Sequence, residues 1–215
     1  MKKNYIFIIL ISTFLTTLGQ SHEKGSFIVN LGLGVGVYNG TYKSGNDEND
    51  NTGKFGLVNI PIKVEYGLKS KLSVGLLLQP LSVDWSGTDE DSGEKRTVKI
   101  SGSFIAPSIN YHFTPDRKTD YYIGFAPGFT GFNWDAAEPA TATIETGKFG
   151  GFGMKFDLGA RFYIGNKVSL NLNLAYGIYS TKLKSYSENG VPFNYPKGKL
   201  NFNGVEPSLG LGFKI

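Results

Sequence analysis

From Gly25 onward apolar side chains recur at every second residue, and a chain with that period builds strands rather than helices. Phe27, Val29, Leu31, Leu33, Val35 and Val37 alternate with Ser26, Asn30, Gly32, Gly34 and Gly36. A strand sends successive side chains to opposite faces, so this segment has one apolar face and one face of small or polar groups. The alternation returns seven more times, over Val58–Tyr66, Leu72–Leu78, Ile105–Phe113, Tyr121–Phe129, Met154–Phe162, Val168–Tyr176 and Val205–Ile215. Eight strands are expected. In the fourth, Val98 and Ile100 are out of phase with Ile105 onward, and a bulge near Gly102 would reconcile them.

The first residues obey another rule. Lys2 and Lys3 precede an apolar stretch from Tyr5 to Leu18, the layout of a secretory signal peptide. The stretch is shorter than the ~20 residues of a spanning helix. Cleavage after Gly19 would leave residues 1–19 as the leader and residues 20–215 as one domain. Later apolar runs are shorter still, so insertion into a membrane must use strands. The connections alternate as well. Asn39–Gly53, Ser86–Arg96, Asp135–Gly147 and Lys184–Lys199 are long, whereas Lys69–Lys71, Thr114–Asp120 and Gly165–Lys167 are short. Outer-membrane barrels have long extracellular loops and short periplasmic turns.

Alternation does not say which face is inside, and a soluble ligand-carrying barrel would turn its apolar face inward. The composition of the other face decides. It is rich in Gly, Ala and Ser, which suit a cramped interior. It also carries both signs of charge at Lys63, Glu65, Lys155, Asp157, Arg161, Glu206 and Lys214, which can pair in a narrow lumen. On the apolar face, Tyr66, Tyr111, Phe113, Tyr121, Phe162 and Phe213 gather near the short-turn ends. Tyr38, Phe55, Trp85, Trp134 and Tyr179 lie near the long-loop ends, giving the two aromatic bands of an interfacial anchor. The expected fold is all-β, an eight-stranded antiparallel up-and-down transmembrane β-barrel in the cell outer membrane. Eight strands leave an interior that side chains can fill, and Tyr122 and Tyr163 would join the charges there.

The leader, the eight alternating strands and the terminal strand Val205–Ile215, with Phe213 near its end, resemble the small outer-membrane β-barrel domain family of OmpA/OmpX type. The likeness covers residues 20–215 as architecture. It implies insertion by the barrel assembly machinery. The chain departs from the pattern by ending in Ile215 rather than an aromatic residue.

Chemistry has few carriers. No cysteine is present, which excludes disulfides, thiol catalysis and a lipid-anchored cysteine. The formal charge is +4, and removing Lys2 and Lys3 leaves +2, no argument for nucleic acid. Some eight-stranded barrels modify lipid A with His, Ser and a carboxylate at the outer-leaflet end. His112 is expected at the periplasmic end facing inward, His22 lies in the N-terminal tail, and no Ser/His/acid set at one depth is legible. No catalytic residue, cofactor or metal site is assigned. Asn46–Asn51 and Asp89–Asp91 offer oxygen ligands of the kind Ca²⁺ accepts, but without an EF-hand spacing they read as solvated loops. Gly32, Gly34 and Gly36 are lumen-facing strand residues rather than a phosphate loop.

The last long connection sets Lys184 and Lys197, flanked by Lys182 and Lys199, beside Tyr186, Phe193 and Tyr195. These residues either contact lipopolysaccharide phosphates, glycans or another envelope protein, or fold over the barrel mouth. The leading expectation is a non-enzymatic barrel, structural or a docking subunit of an envelope complex. A narrow channel for small or hydrophobic solutes is the alternative, and a lipid A-modifying enzyme the third. Expected partners are outer-membrane lipid and lipopolysaccharide.

Overall fold

The structure, a computed structural model, describes residues 22–43, 51–88, 95–114, 118–138, 143–193 and 198–215. The leader, the acidic segments at 46–50 and 89–91, Tyr195 and Lys197 lie outside the described residues. The described strands are β1 (Phe27–Lys43), β2 (Asn51–Asn59), β3 (Ile62–Lys69), β4 (Leu72–Thr88), β5 (Lys95–His112), β6 (Thr119–Glu138), β7 (Thr143–Ile164), β8 (Val168–Glu188), β9 (Val191–Phe193) and β10 (Lys199–Lys214). All pairings are antiparallel. The ring closes because β10 pairs with both β8 and β1, which leaves no open edge in the wall.

These ten strands make eight staves. β2 and β3 continue one register along β1, from Gly34↔Asn59 to Leu31↔Ile62, and the break falls at Ile60–Pro61, where proline has no N–H to donate. β9 pairs only with β8 and forms a small hairpin above the wall. Its turn is Asn189-Gly190, both at positive φ (49° and 78°), the two-residue turn that matches strand twist. The architecture is therefore the expected eight-stranded antiparallel up-and-down transmembrane barrel.

Three expectations are corrected. β5 pairs without a register shift from Leu72↔Tyr111 to Thr88↔Lys95, so there is no bulge at Gly102. Ile100 is out of phase because it faces inward, packing on an apolar cluster in the upper lumen. The long connections are also shorter than expected, since β6, β7 and β8 run for 20, 22 and 21 residues. About 9–11 residues suffice to cross the membrane. Beyond it the apolar alternation fades but the backbone ladder continues.

The third correction concerns the aromatic bands. The periplasmic band is as expected, with Tyr66, Tyr111, Phe113, Tyr121, Phe162 and Phe213 all exposed on the outer face. Of the other band, Tyr38, Phe55 and Tyr179 are not on that face and Trp134 lines the barrel mouth, while the Trp85 side chain lies outside the described residues. Tyr38 and Tyr179 are each 1% exposed inside the lumen, and Phe55 stacks on Tyr38 with ring centroids 5.6 Å apart. Outside, apolar side chains such as Leu33 and Leu209 pair across β1 and β10, exposed toward lipid. Leu209→Arg is expected to cost about 2–4 kcal/mol in urea titrations of the barrel in vesicles, and Asn203→Arg, nearer the interface, at most about 1 kcal/mol.

Candidate functional site

The lumen is layered. At the periplasmic end the turn Glu23–Ser26 folds back under the barrel. The Gly25 amide donates to the Gly67 carbonyl (2.8 Å), and the Ser26 hydroxyl donates to the Glu23 carbonyl (2.7 Å). This turn carries His22 up into the lumen, where its ring stacks on His112 at 4.0 Å and 6°. Gly67 leaves the space, for a Cβ there would come within 2.9 Å of the His22 ring. Burial, then the neighbouring His112 and Arg161, hold His22 well below its ordinary 6.5, at about 4.

Above His22 stands an arrangement that sequence reasoning missed. His112 Nδ1 faces Asp120 Oδ2 at 2.8 Å, and His112 Nε2 faces Ser73 Oγ at 3.0 Å. A Ser/His/Asp set at one depth therefore exists. Its partners are adjacent through the pairing of β4 with β5 and the short β5–β6 connection, a proximity invisible without the register. The single Ser73 proton has a competing acceptor, Glu65 Oε2 at 3.1 Å, and Asn110 donates to the same Oγ (3.1 Å). Ser73, His112 and Asp120 are all fully buried, with the His22 ring against the imidazole. The set is hydrogen-bonded filling rather than an open nucleophilic site.

Six of the seven charges read from the sequence meet in the lumen, in two groups. In the lower group Glu65 accepts from Arg161, from Asn30 (3.0 Å), from Ser73 and from Asn110 (3.2 Å). Lys63 lies 3.5 Å from Asp157 and donates to Asn110 (2.7 Å). The Arg161 guanidinium sits over the Tyr122 ring, 4.5 Å from its centroid. In the upper group Glu206 accepts from Lys155 (2.8 Å), Gln79 (2.6 Å), Asn59 (3.3 Å), Tyr179 (3.1 Å) and Tyr38. The seventh, Lys214, is at the periplasmic rim, 3.3 Å from Glu23. Between the groups, beside Lys63, Tyr122, Lys155 and Asp157, a cavity of about 40 Å³ remains. That is room for roughly two or three waters.

The upper lumen is apolar, contrary to the expected small and charged filling. Leu57, Leu77, Leu81, Phe104, Phe132 and Phe202 are buried there with Tyr38 and Tyr179. Above them the barrel opens into a cavity of about 400 Å³ lined by Ile100, Phe132, Trp134, Phe149, Leu183 and Leu200. Tyr42, Tyr186 and one carboxylate, Glu145, complete the lining. Of the predicted loop contacts, Tyr186 thus faces the mouth, while Lys184 is exposed where the β7–β8 register shifts at Lys148/Phe149. Phe193 ends β9. Among the described residues no group of His, Asp and Glu is arranged to hold a metal ion.

Residues 8–213 match the model of the outer membrane protein beta-barrel domain family. The chain belongs to that family. It is an outer-membrane protein. No curated protein matches the chain in sequence. Among solved structures it is similar to the outer membrane protein OprG from Pseudomonas aeruginosa, at 16% identity and a TM-score of 0.65, covering 92% of this chain and 99% of that one. It is also similar to the outer membrane protein AlkL, at 15% identity and a TM-score of 0.58, covering 90% and 92%. The outer membrane protease OmpT from Escherichia coli is a third likeness, at 10% identity and a TM-score of 0.50, covering 88% and 97%. At these identities the likeness is one of fold.

Two outcomes follow from the lumen. Glu65→Gln takes from the buried Arg161 its nearest carboxylate, leaving Asp120 at 3.7 Å, and is expected to cost about 3–5 kcal/mol in equilibrium unfolding. His22 in the seated turn takes up a proton near pH 4, whereas a released segment titrates near 6.5. Seating is therefore fully stable above 6.5 and loses stability as pH falls from there toward 4. An NMR titration of the His22 ring in micelles should show the low midpoint, and a midpoint at 6.5 would mean that the ring is not buried.

Proposed function

We propose that this protein is a non-enzymatic outer-membrane barrel with a sealed lumen, whose extracellular mouth holds a small apolar molecule. The supporting observation is the mouth cavity of about 400 Å³, within the size range of small-molecule sites and lined almost wholly by apolar and aromatic side chains. Its floor is the buried aromatic cluster around Phe132 and Phe202, whose rings lie 5.2 Å apart. Below that floor, a solute would have to displace five hydrogen-bond donors from Glu206 and then separate Arg161 from Glu65. Breaking such buried pairs costs several kcal/mol. This favours uptake into the mouth over flow through the barrel. The hydrogen-bonded, covered state of Ser73, His112 and Asp120 supports the non-enzymatic part of the reading.

The test uses the barrel in vesicles with N-phenyl-1-naphthylamine, a neutral aromatic probe. Energy transfer from Trp134 should saturate, and Leu200→Lys should weaken binding tenfold or more. Transfer that rises without saturation, and is indifferent to Leu200→Lys, would overturn the mouth site. Planar-bilayer recordings should show no unitary steps, and steady steps would overturn the sealed lumen.

A further inference from the structure

The short connections and the two ends of the described chain meet at the periplasmic rim, and each brings a lysine. Lys24 lies in the turn before β1, Lys69 ends β3, Lys71 precedes β4, Lys118 precedes β6, Lys167 precedes β8 and Lys214 ends β10. Backbone hydrogen bonds fix their places in the ring. The Lys214 amide donates to the Lys167 carbonyl (2.7 Å), the His112 amide to the Lys71 carbonyl (2.9 Å) and the Tyr163 amide to the Lys118 carbonyl (2.9 Å). Following the strand pairing, lysines stand at β8, β10, β1, β3, β4 and β6, a crown around the barrel.

Acids do not match this crown. Glu23 is 3.3 Å from Lys214, and Asp120 is turned inward against His112. No acidic residue precedes Glu23 in the chain, and in the β5–β6 connection Asp116 is offset in formal charge by Arg117. A carboxylate on Ile215 still leaves the lysines in excess. Lys24, Lys69, Lys71 and Lys167 are exposed and make no ion pair with any described residue. The excess belongs to this end alone. Six acids fall in segments 46–50 and 89–91 of the β1–β2 and β4–β5 connections, at the other end. There the register also sets Asp84, Lys99 and Asp135 side by side, alternating in sign.

The height of the crown follows from the aromatic girdle. Lys69 is three residues from Tyr66, Lys118 is three from Tyr121, and Lys214 follows Phe213. Three residues on strands tilted by ~40° make a drop of ~8 Å. Interfacial aromatic rings sit at the headgroup level, so the ammonium groups lie among the headgroups of the periplasmic leaflet or just beneath them. Neighbouring strands are ~4.8 Å apart, so adjacent lysines such as Lys167 and Lys214, or Lys69 and Lys71 across their turn, can reach one phosphate together.

We propose that this crown binds the phosphate headgroups of anionic glycerophospholipids in the periplasmic leaflet, with the acyl chains of each lipid lying along the aromatic girdle above. Basic residues beside a bilayer are drawn to anionic lipid over about a Debye length, ~8–10 Å. A zwitterionic headgroup carries its own ammonium beside its phosphate and gains little. A soluble phosphate meets the charge but makes no contact with Tyr66, Tyr111 or Phe213. The crown therefore selects for charge and acyl chain together.

The experiment follows thermal unfolding of the full barrel in a neutral maltoside detergent as dioleoylphosphatidylglycerol is added. The controls are dioleoylphosphatidylcholine, which has the same chains, and glycerol phosphate alone. One variant removes three exposed rim lysines, Lys69→Gln, Lys71→Gln and Lys167→Gln. The other removes the same charge at the far end, Lys54→Gln, Lys182→Gln and Lys199→Gln. Wild type and the far-end variant should reach half-saturation at a concentration at least tenfold lower for the anionic lipid than for the zwitterionic one. In the rim variant that preference should fall below threefold. Equal response of wild type to the two lipids, a preference kept in the rim variant, an equal loss in the far-end variant, or an equal effect of glycerol phosphate would each overturn the proposal. The wild-type comparison of the two lipids decides the matter even where a variant does not fold.

Discussion

Two carboxylates buried in the hollow of the barrel, Glu65 and Glu206, organise the rest of the structure. An ion removed from water is tolerated only when its lone pairs are met by charge and hydrogen bonds together. Glu65 gathers donors from β1, β4, β5 and β7, and Glu206 gathers them from β1, β2, β4, β7 and β8. Each therefore ties together most of the circumference. Such an arrangement fixes the relative register of distant staves, because a slip by one residue would turn every charged group into the lipid.

The lumen's contents follow from that constraint. Long cationic side chains cross the hollow at two levels, and aromatic rings occupy the space above them over small residues. Gly153 is one example: a Cβ there would lie 2.9 Å from Tyr179 Cε1 and 3.2 Å from Phe104 Cε2. Among the described residues, what remains open is the small cavity between the two charge groups and the apolar mouth at the outer end. The periplasmic end is filled by the turn bearing His22, and the outer end by nothing larger than the apolar mouth among the described residues.

Much of this was legible in the sequence, because period-two alternation reports strand, face and count at once. The inward set was readable wherever its residues were small or charged, as at Lys63, Asp157 and Arg161. It was unreadable where the inner face turns aromatic. There both faces are apolar and alternation loses its contrast, so Tyr38 and Tyr179 looked like girdle residues and Ile100 like evidence of a bulge. The Ser73–His112–Asp120 set was hidden for a different reason. Its members are ordinary in isolation, and only cross-strand register makes them neighbours. The Asn189-Gly190 hairpin, by contrast, carried a local signal that a long-loop reading passed over.

The central claim is that charge and aromatic filling occupy the inside while the regular apolar rows meet lipid. Nuclear Overhauser contacts between leucine methyl groups and lipid acyl chains, in a deuterated barrel reconstituted in nanodiscs, test it directly. Leu31, Leu33, Leu172 and Leu209 should contact the acyl chains, and Leu57, Leu77 and Leu81 should not. Acyl contacts to the second set and none to the first would mean that the barrel is the other way out.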